Sequence, residues 1–277
     1  MIDCKVNVER RLQHLADFVK KNHMTDRKLA VIQIGDNPAS NSYIKGKKKD
    51  AELIGIEVMH LKYAEDVDTE TVCNLIDLLN TTWTVEGIIV QMPIPEHLDK
   101  QRIINTIADE KDVDGFKTTS GFYPCTPLGI MSILEDINYN VKGKTVCVLG
   151  QGTVGKPLID ILIDKRATVI SCGSQTSVLE RNCHMKNCDV LITAVGKKDL
   201  INVNDFWNMA EQRYSFPEVI IDVGINRDEN GKLCGDVNKE LYEYVDKITP
   251  VPGGVGLYTR VSLMENTIYK DNKEYYI

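Results

Sequence analysis

Thr145-Val146-Cys147-Val148-Leu149, running into Gly150-Gln151-Gly152-Thr153-Val154-Gly155-Lys156-Pro157, is the stretch that decides the fold. Five apolar or β-branched residues predict a buried strand. The glycines follow it at G-x-G-x-x-G spacing, and Pro157 suits the first turn of a helix. Strand before and helix after is the context in which this spacing has meaning. Glycines let the backbone approach a pyrophosphate, and a helix N-terminus favours its charge. The alternative is a tight strand–helix turn in a doubly wound domain that holds no cofactor.

Outward from this stretch the pattern repeats. Thr168–Cys172, Asp189–Thr193 and Glu218–Asp222 read as further strands. The last two end in glycine-containing loops, Ala194-Val195-Gly196 and Val223-Gly224-Ile225-Asn226. Toward the N-terminus, Leu29–Ile34, Ile56–Tyr63 and Val85–Val90 are strand candidates. Helical spacing at Val8, Leu12, Leu15 and Val19, and at Val72, Leu75, Ile76 and Leu79, marks helices, the second capped by Asp68 or Thr69. Short helices are expected at about 100–107 and 127–137, and a final one at about 259–269. Alternating strands and helices predict an α/β fold with parallel sheets.

The chain has 277 residues, which favours two domains. Pro124-Cys125-Thr126-Pro127-Leu128-Gly129 reads as a boundary. The expected division is 1–120 plus 255–277 against 121–254. A net charge of −7 argues against a broad nucleic-acid surface. No apolar run approaches the roughly 20 residues a membrane span needs. The first residues carry no secretory apolar core. The eight cysteines include no C-x-x-C pair, and the five histidines form no ligand cluster, so neither a disulfide framework nor a metal is expected. These readings point to the cytoplasm.

Asn37-Pro38-Ala39-Ser40-Asn41-Ser42-Tyr43-Ile44-Lys45-Gly46-Lys47 is the candidate for chemistry. A helix is expected from just after Pro38 to about Ile54, stopped by Gly55. Tyr43 and Lys47, four residues apart, then share one face. A ring and an amine would point into the same space. Lys45, Lys47, Lys48 and Lys49 equally read as solvated helix surface. Gln91 leaves its strand at the carboxyl end, where ligands collect in such sheets. Glu110–Gly115 reads either as a solvated turn or as a source of a carboxylate for a planar amino-heterocycle. Thr249–Gly256, with two prolines and three glycines, is a rigid segment whose backbone can face a ligand.

These stretches together resemble the bifunctional methylenetetrahydrofolate dehydrogenase/cyclohydrolase family. The resemblance is carried by Ala39–Lys47, Gly87–Pro93, Lys111–Gly115, Pro124–Gly129, Asp222–Arg227, Gly235–Val237 and Thr249–Gly256, in that order. It implies a catalytic α/β domain completed by the C-terminal helix, a Rossmann-like cofactor domain, and folate bound in a cleft between them. It implies a homodimer, NADP as cofactor, and tetrahydrofolate derivatives as substrates. The implied reactions are oxidation of methylenetetrahydrofolate and hydrolysis of the methenyl product to formyltetrahydrofolate, in one-carbon metabolism feeding purine biosynthesis. By position, Lys47 is the proton-transfer lysine and Tyr43 stacks on the folate. Gln91 hydrogen-bonds Lys47, and Asp114 holds the pterin. The backbone of Pro252, Gly253 and Gly254 lines the folate site. Gly150, Gln151, Gly152, Ser174, Thr176 and Ile225 match cofactor positions, with Thr126 near the nicotinamide.

Two departures bear on these expectations. The glycine loop is one residue shorter than the family's usual form, and Gln151 stands where an arginine can hold a 2′-phosphate. The ribose-reading segment Ser171–Thr176 is neutral, which neither repels that phosphate nor grips it. NADP is favoured over NAD, and NAD use stays open. Leu257 replaces the proline that commonly follows G-G-V-G. The rival readings are a monofunctional dehydrogenase, a non-catalytic dinucleotide-binding paralogue, and an unrelated amino-acid or hydroxy-acid dehydrogenase.

Overall fold

The computed structural model describes residues 1–270. Compactness divides them into a first unit, Glu9–Cys125 with Arg260 onward, and a second unit, Met1–Val8 with Thr126–Thr259.

The first unit is built on a parallel three-stranded sheet. Strand β1 (Lys28–Ile34) lies between β2 (Glu57–Tyr63) and β3 (Val85–Val90). All of β1 after its first residue is buried, as a central strand covered on both faces requires, and the edge strand β3 is buried throughout as well. Helix α1 (Cys4–Lys21) opens the chain. Helix α2 (Pro38–Ile54) follows β1, α3 (Thr69–Thr81) follows β2, and α4 (Lys100–Thr106) follows β3. Ala30, Ile32 and Ile34 of β1 pack with Val72, Ile76 and Leu79 of α3 and with Ile103 of α4.

The ends of α2 follow from its sequence. Asn37 accepts from the amides of Ala39 and Ser40, Pro38 sits in the first turn, and Gly55 adopts φ 86° at the C-terminus. Asp68, of the two candidates, caps α3 through the amide of Thr71. These boundaries agree with the local reading because each is set within four residues of chain.

The second unit carries a parallel five-stranded sheet. Its strands are β4 (Thr145–Leu149), β5 (Thr168–Cys172), β6 (Val190–Thr193), β7 (Val219–Asp222) and β8 (Lys247–Ile248), in spatial order β8-β7-β6-β4-β5. Helix α5 (Cys125–Asp136) precedes β4, α6 (Gly155–Asp164) joins β4 to β5, and α7 (Val178–Lys186) joins β5 to β6. Helix α7 was not expected from apolar spacing, because only Met185 of its residues is buried. Its signal is the capping box of Ser177 and Glu180. The last helix, α8 (Val255–Tyr269), starts four residues before the expected Thr259.

The compact units differ at their edges from the division expected from sequence, whose residues 271–277 lie outside the described chain. The amide of Ile2 donates to the carbonyl of Ile248 at 2.9 Å, so the first residues run beside β8. Tyr258, fully buried, donates to Asp136 at 2.6 Å, and a Cβ on Gly129 would lie 2.9 Å from the Tyr258 backbone. Apolar periodicity carries no record of either contact. Replacing Asn37 by alanine removes two accepted hydrogen bonds from the start of α2. We expect a loss of about 1 kcal/mol in urea unfolding; an unchanged midpoint would mean the cap contributes nothing.

Candidate active site

Helix α2 separates its lysines by face. Lys45, Lys48 and Lys49 are exposed, whereas Lys47 is only 9% exposed. A buried ammonium needs a partner. Lys47 Nζ donates to Gln91 Oε1 at 2.9 Å, and Gln91 Nε2 donates to the carbonyl of Met92 at 2.9 Å. The second bond turns the amide so that its oxygen meets the amine. Gln91 reaches this place because its own amide continues β3, donating to the carbonyl of Ile32.

Burial pushes the Lys47 amine below its usual range. Asp114 and then Cys125 oppose that shift, and Arg260 adds to it. The neighbourhood is therefore not wholly neutral: a carboxylate stands near the amine, and desolvation outweighs it. Tyr43, one turn before Lys47 and half-buried, is shifted up by burial, against the opposing charge of Arg260.

The Lys111–Gly115 segment divides its work. Lys111 donates to the carbonyls of Leu79 and Thr82, closing the end of α3. Asp112, fully buried, accepts from the amides of Phe116 and Lys117. Asp114 is left half-exposed and faces the Lys47 group. Gly115 has φ 69°, and a Cβ there would sit 2.8 Å from the Pro124 nitrogen, so only glycine fits. Asn266 of α8 donates to the carbonyls of Val113 and Tyr123 and ties the segment down. Cys125 donates to the carbonyl of Val113, and burial first, then Asp114, raise its thiol well above the usual range. Lys47, Tyr43, Gln91 and Asp114 thus come together in the first unit. The supports Asp112, Lys111 and Asn266 were missed; for Asn266, 150 residues away in sequence, no local signal exists.

The other expected positions lie in the second unit. Gly150 has φ 102°, and a Cβ there would be 2.5 Å from the carbonyl oxygen of Ala194. A Cβ on Gly155 would be 1.9 Å from that of Gly150, whereas Gly152 faces open space. The outer glycines make the turn and the middle one leaves room for a ligand. Helix α6 starts with no side-chain cap, so its positive end faces the glycine turn, although Lys156 already donates to the carbonyl of Gly152 and Pro157 carries no N–H. Gln151 Nε2 donates to Ser171 Oγ at 2.9 Å, at the end of β5 where a ribose would be read. Ser174 is exposed, and Thr176 Oγ1 accepts from the amide of Gly173. Ile225 is 56% exposed, an apolar face at the end of β7 suited to a flat ring. These features fit a dinucleotide. Thr126 opens α5, its hydroxyl bonded to that of Thr259. Pro252 and Gly253 are exposed and Gly254 is buried, with Gly253 at φ 99°.

Two buried carboxylates brace these loops. Asp236 accepts from Thr193 Oγ1, from the amides of Val195, Gly196 and Lys197, and from Asn226 Nδ2. Asp222 accepts from the amides of Gly224, Asp236 and Val237. Burial carries the Asp222 carboxyl up to about 6, against the backbone donors of Asp236 and Val237. Asp236 sits inside the quoted Gly235–Val237 match, which by itself suggested no role.

The catalytic-domain model of the tetrahydrofolate dehydrogenase/cyclohydrolase family matches residues 2–114, and its NAD(P)-binding-domain model matches residues 124–275. The bifunctional protein FolD of Bacillus subtilis (strain 168) is 40% identical over 282 residues, covering 97% of this chain and 96% of that protein. The crystal structure of the bifunctional enzyme FolD, a methylenetetrahydrofolate dehydrogenase/cyclohydrolase, from Campylobacter jejuni is 34% identical. It superposes with a TM-score of 0.89, covering 99% of this chain and 98% of that one. The Trypanosoma brucei N5,N10-methylenetetrahydrofolate dehydrogenase-cyclohydrolase, complexed with NADP cofactor and inhibitor, is 26% identical with a TM-score of 0.88, covering 99% of this chain and 97% of that one. A buried lysine paired with a glutamine, a glycine turn ahead of an uncapped helix, and these matches over nearly the whole length agree: the chain belongs to the tetrahydrofolate dehydrogenase/cyclohydrolase family.

Proposed function

We propose that this chain oxidises methylenetetrahydrofolate to methenyltetrahydrofolate with NADP and hydrolyses that product to formyltetrahydrofolate. The observation that carries the reading is the buried Lys47 amine bonded to the neutral amide of Gln91. A lysine with its ordinary pKa of about 10.4 is protonated at neutral pH and cannot take a proton. Burial lowers that value, which favours the neutral amine that can take a proton. The bound nicotinamide supplies the oxidising capacity that turns the methylene bridge into a methenyl cation.

The remaining steps belong to the chain's own residues. Tyr43 packs against the folate ring system, and Asp114 accepts two hydrogen bonds from its amino-pterin edge. Pro252, Gly253 and Gly254 contribute backbone to the folate. Lys47 removes a proton from the water that attacks the methenyl carbon and delivers one to the ring nitrogen as the ring opens, while the hydroxyl proton of the adduct leaves to solvent as the formyl C=O forms. Gln91 orients the amine without adding a charge that would hold its proton. Gly150, Gln151, Gly152, Ser174, Thr176, Ile225 and Thr126 hold the dinucleotide. The enzyme works as a cytoplasmic homodimer in one-carbon metabolism, its product a formyl donor for purine biosynthesis. Support for this setting is the family resemblance; in addition, no helix among the described residues is long and apolar enough to cross a membrane.

Lys47→Met abolishes hydrolysis in this scheme while dinucleotide binding persists. The test follows methenyl decay above the buffer rate; retained hydrolysis refutes the assignment, and a wild type no faster than buffer favours a monofunctional dehydrogenase. The same variant has a stability signature. The folded pKa of Lys47 lies below its unfolded value, so the unfolded chain binds more protons and wild-type stability rises with pH between the two values. The stability of Lys47→Met relative to wild type therefore falls as pH rises toward the unfolded lysine value of about 10.4 in urea unfolding, and a flat difference up to that pH contradicts the shift.

Cofactor preference rests on the neutral pair of Gln151 and Ser171. Gln151→Arg introduces a charge able to hold a 2′-phosphate. The ratio of kcat/KM for NADP over NAD should rise about tenfold, equivalent to roughly 1.4 kcal/mol. An unchanged ratio would remove residue 151 from cofactor selection.

A further inference from the structure

Tyr43, Gly46, Lys47 and Asp50 are neighbours on the surface of α2, since residues three and four apart lie side by side on a helix. Glycine inside a helix costs about 1 kcal/mol relative to alanine, and Gly46 has a reason to be there. A Cβ at that position would lie 2.5 Å from Arg260 Nη1, 3.0 Å from its Cζ and 3.1 Å from its Cδ. The side chain of Arg260, carried by α8, occupies the space that a side chain at residue 46 would fill. From that seat Nε donates to Asp50 Oδ2 at 2.6 Å, with Nη2 3.5 Å from Oδ1. The Asp50 side chain is 4% exposed and that of Arg260 is 22% exposed, so the pair is largely withdrawn from water.

We propose that Arg260, seated on Gly46 and held by Asp50, is a positioning residue that sets the electrostatic field in which the Lys47 amine works. The inference rests on the proton-transfer role assigned to Lys47 above. Geometry supports it: the guanidinium covers the residue next to Lys47 in the chain, whereas Asp50 sits three residues on. The Arg260 charge favours the neutral amine of Lys47 and, on Tyr43, favours loss of the hydroxyl proton against the effect of burial. The groups that bear on Lys47 are Gln91 beyond β3, Asp114 in the following loop, Cys125 at the start of α5 and Arg260 on α8; Tyr43 and Asp50 lie about one turn away on its own helix. Burial raises the Asp50 carboxyl and Arg260 pulls it back down, which keeps the pair interdependent. A buried carboxylate and guanidinium with direct contact form a local dipole that weakens little with salt.

The two partners therefore have opposite effects. Loss of Asp50 leaves the guanidinium uncompensated and favours the neutral amine further. Loss of Arg260 removes that field and exposes Lys47 to the Asp50 carboxylate. The experiment is the pH–rate profile of methenyltetrahydrofolate hydrolysis, corrected for buffer hydrolysis, on the full chain. The acid limb of Asp50→Asn should move to lower pH and that of Arg260→Met to higher pH. Each shift should be on the order of half to one pH unit, the size expected for one nearby charge under screened conditions. Arg260→Lys, which keeps the charge, should return the limb to within about 0.2 unit of wild type.

Because a buried unpaired charge can unfold a protein, Gly46→Ala serves as the second probe. It gains helix propensity, keeps both charges, and displaces the guanidinium from its seat; its limb should move to higher pH. Opposite shifts for the two partners, or an upward shift for Gly46→Ala, support the proposal. Limbs that stay in place, or move in the same direction, overturn it while Lys47→Met still abolishes hydrolysis. Hydrolysis surviving in Lys47→Met overturns the proton-transfer reading and this inference with it.

Discussion

A single amine held away from water beside an uncharged amide is the constraint on which the first unit depends. Lys47 loses its hydration to sit there, and a hydrogen bond to Gln91 compensates only in part. That arrangement is poor as a stabilising device, because burying an ammonium costs more than a neutral partner returns. It is well suited to an amine that must exist in both protonation states. The surrounding structure reads as support for this compromise. The sheet delivers Gln91 to the end of β3, and the Met92 carbonyl fixes which way its amide faces.

The charged neighbours are graded rather than absent. Asp114 favours the protonated amine, Arg260 disfavours it, and Asp50 holds Arg260 in place. A proton carrier placed between opposing charges can be adjusted by either one without moving the amine itself. The Asp112 and Asn266 contacts keep Asp114 from swinging away, since both bind the backbone of its loop. In the second unit the same economy appears in another form. Two buried carboxylates gather backbone amides from the loops after β6 and β7, and so fix the shape of those loops.

Much of this was legible in the chain. The glycine turn, the α2 boundaries and the parallel alternation are all local patterns, each decided within a few residues. The sharing of a face by Tyr43 and Lys47 follows from helical geometry alone. What stayed ambiguous was which lysine of the run at 45–49 is buried, since all four have the same chemistry and only the packing of α2 separates them. Helix α7 escaped notice because it buries little, although its capping box was present in the letters.

By itself the sequence determined two α/β units, a phosphate-type glycine turn, and the family to which the chain belongs, because these depend on short-range patterning and on ordered motifs. Tertiary structure alone decided that Arg260 lies on Gly46, that Asn266 pins the loop of Asp114, and that Asp236 gathers the ends of two strands. Each of these joins residues far apart in the chain through a contact that neither partner's neighbours announce. Their energies come from desolvated hydrogen bonds and charges, which exist only once the intervening chain has folded and shut out water.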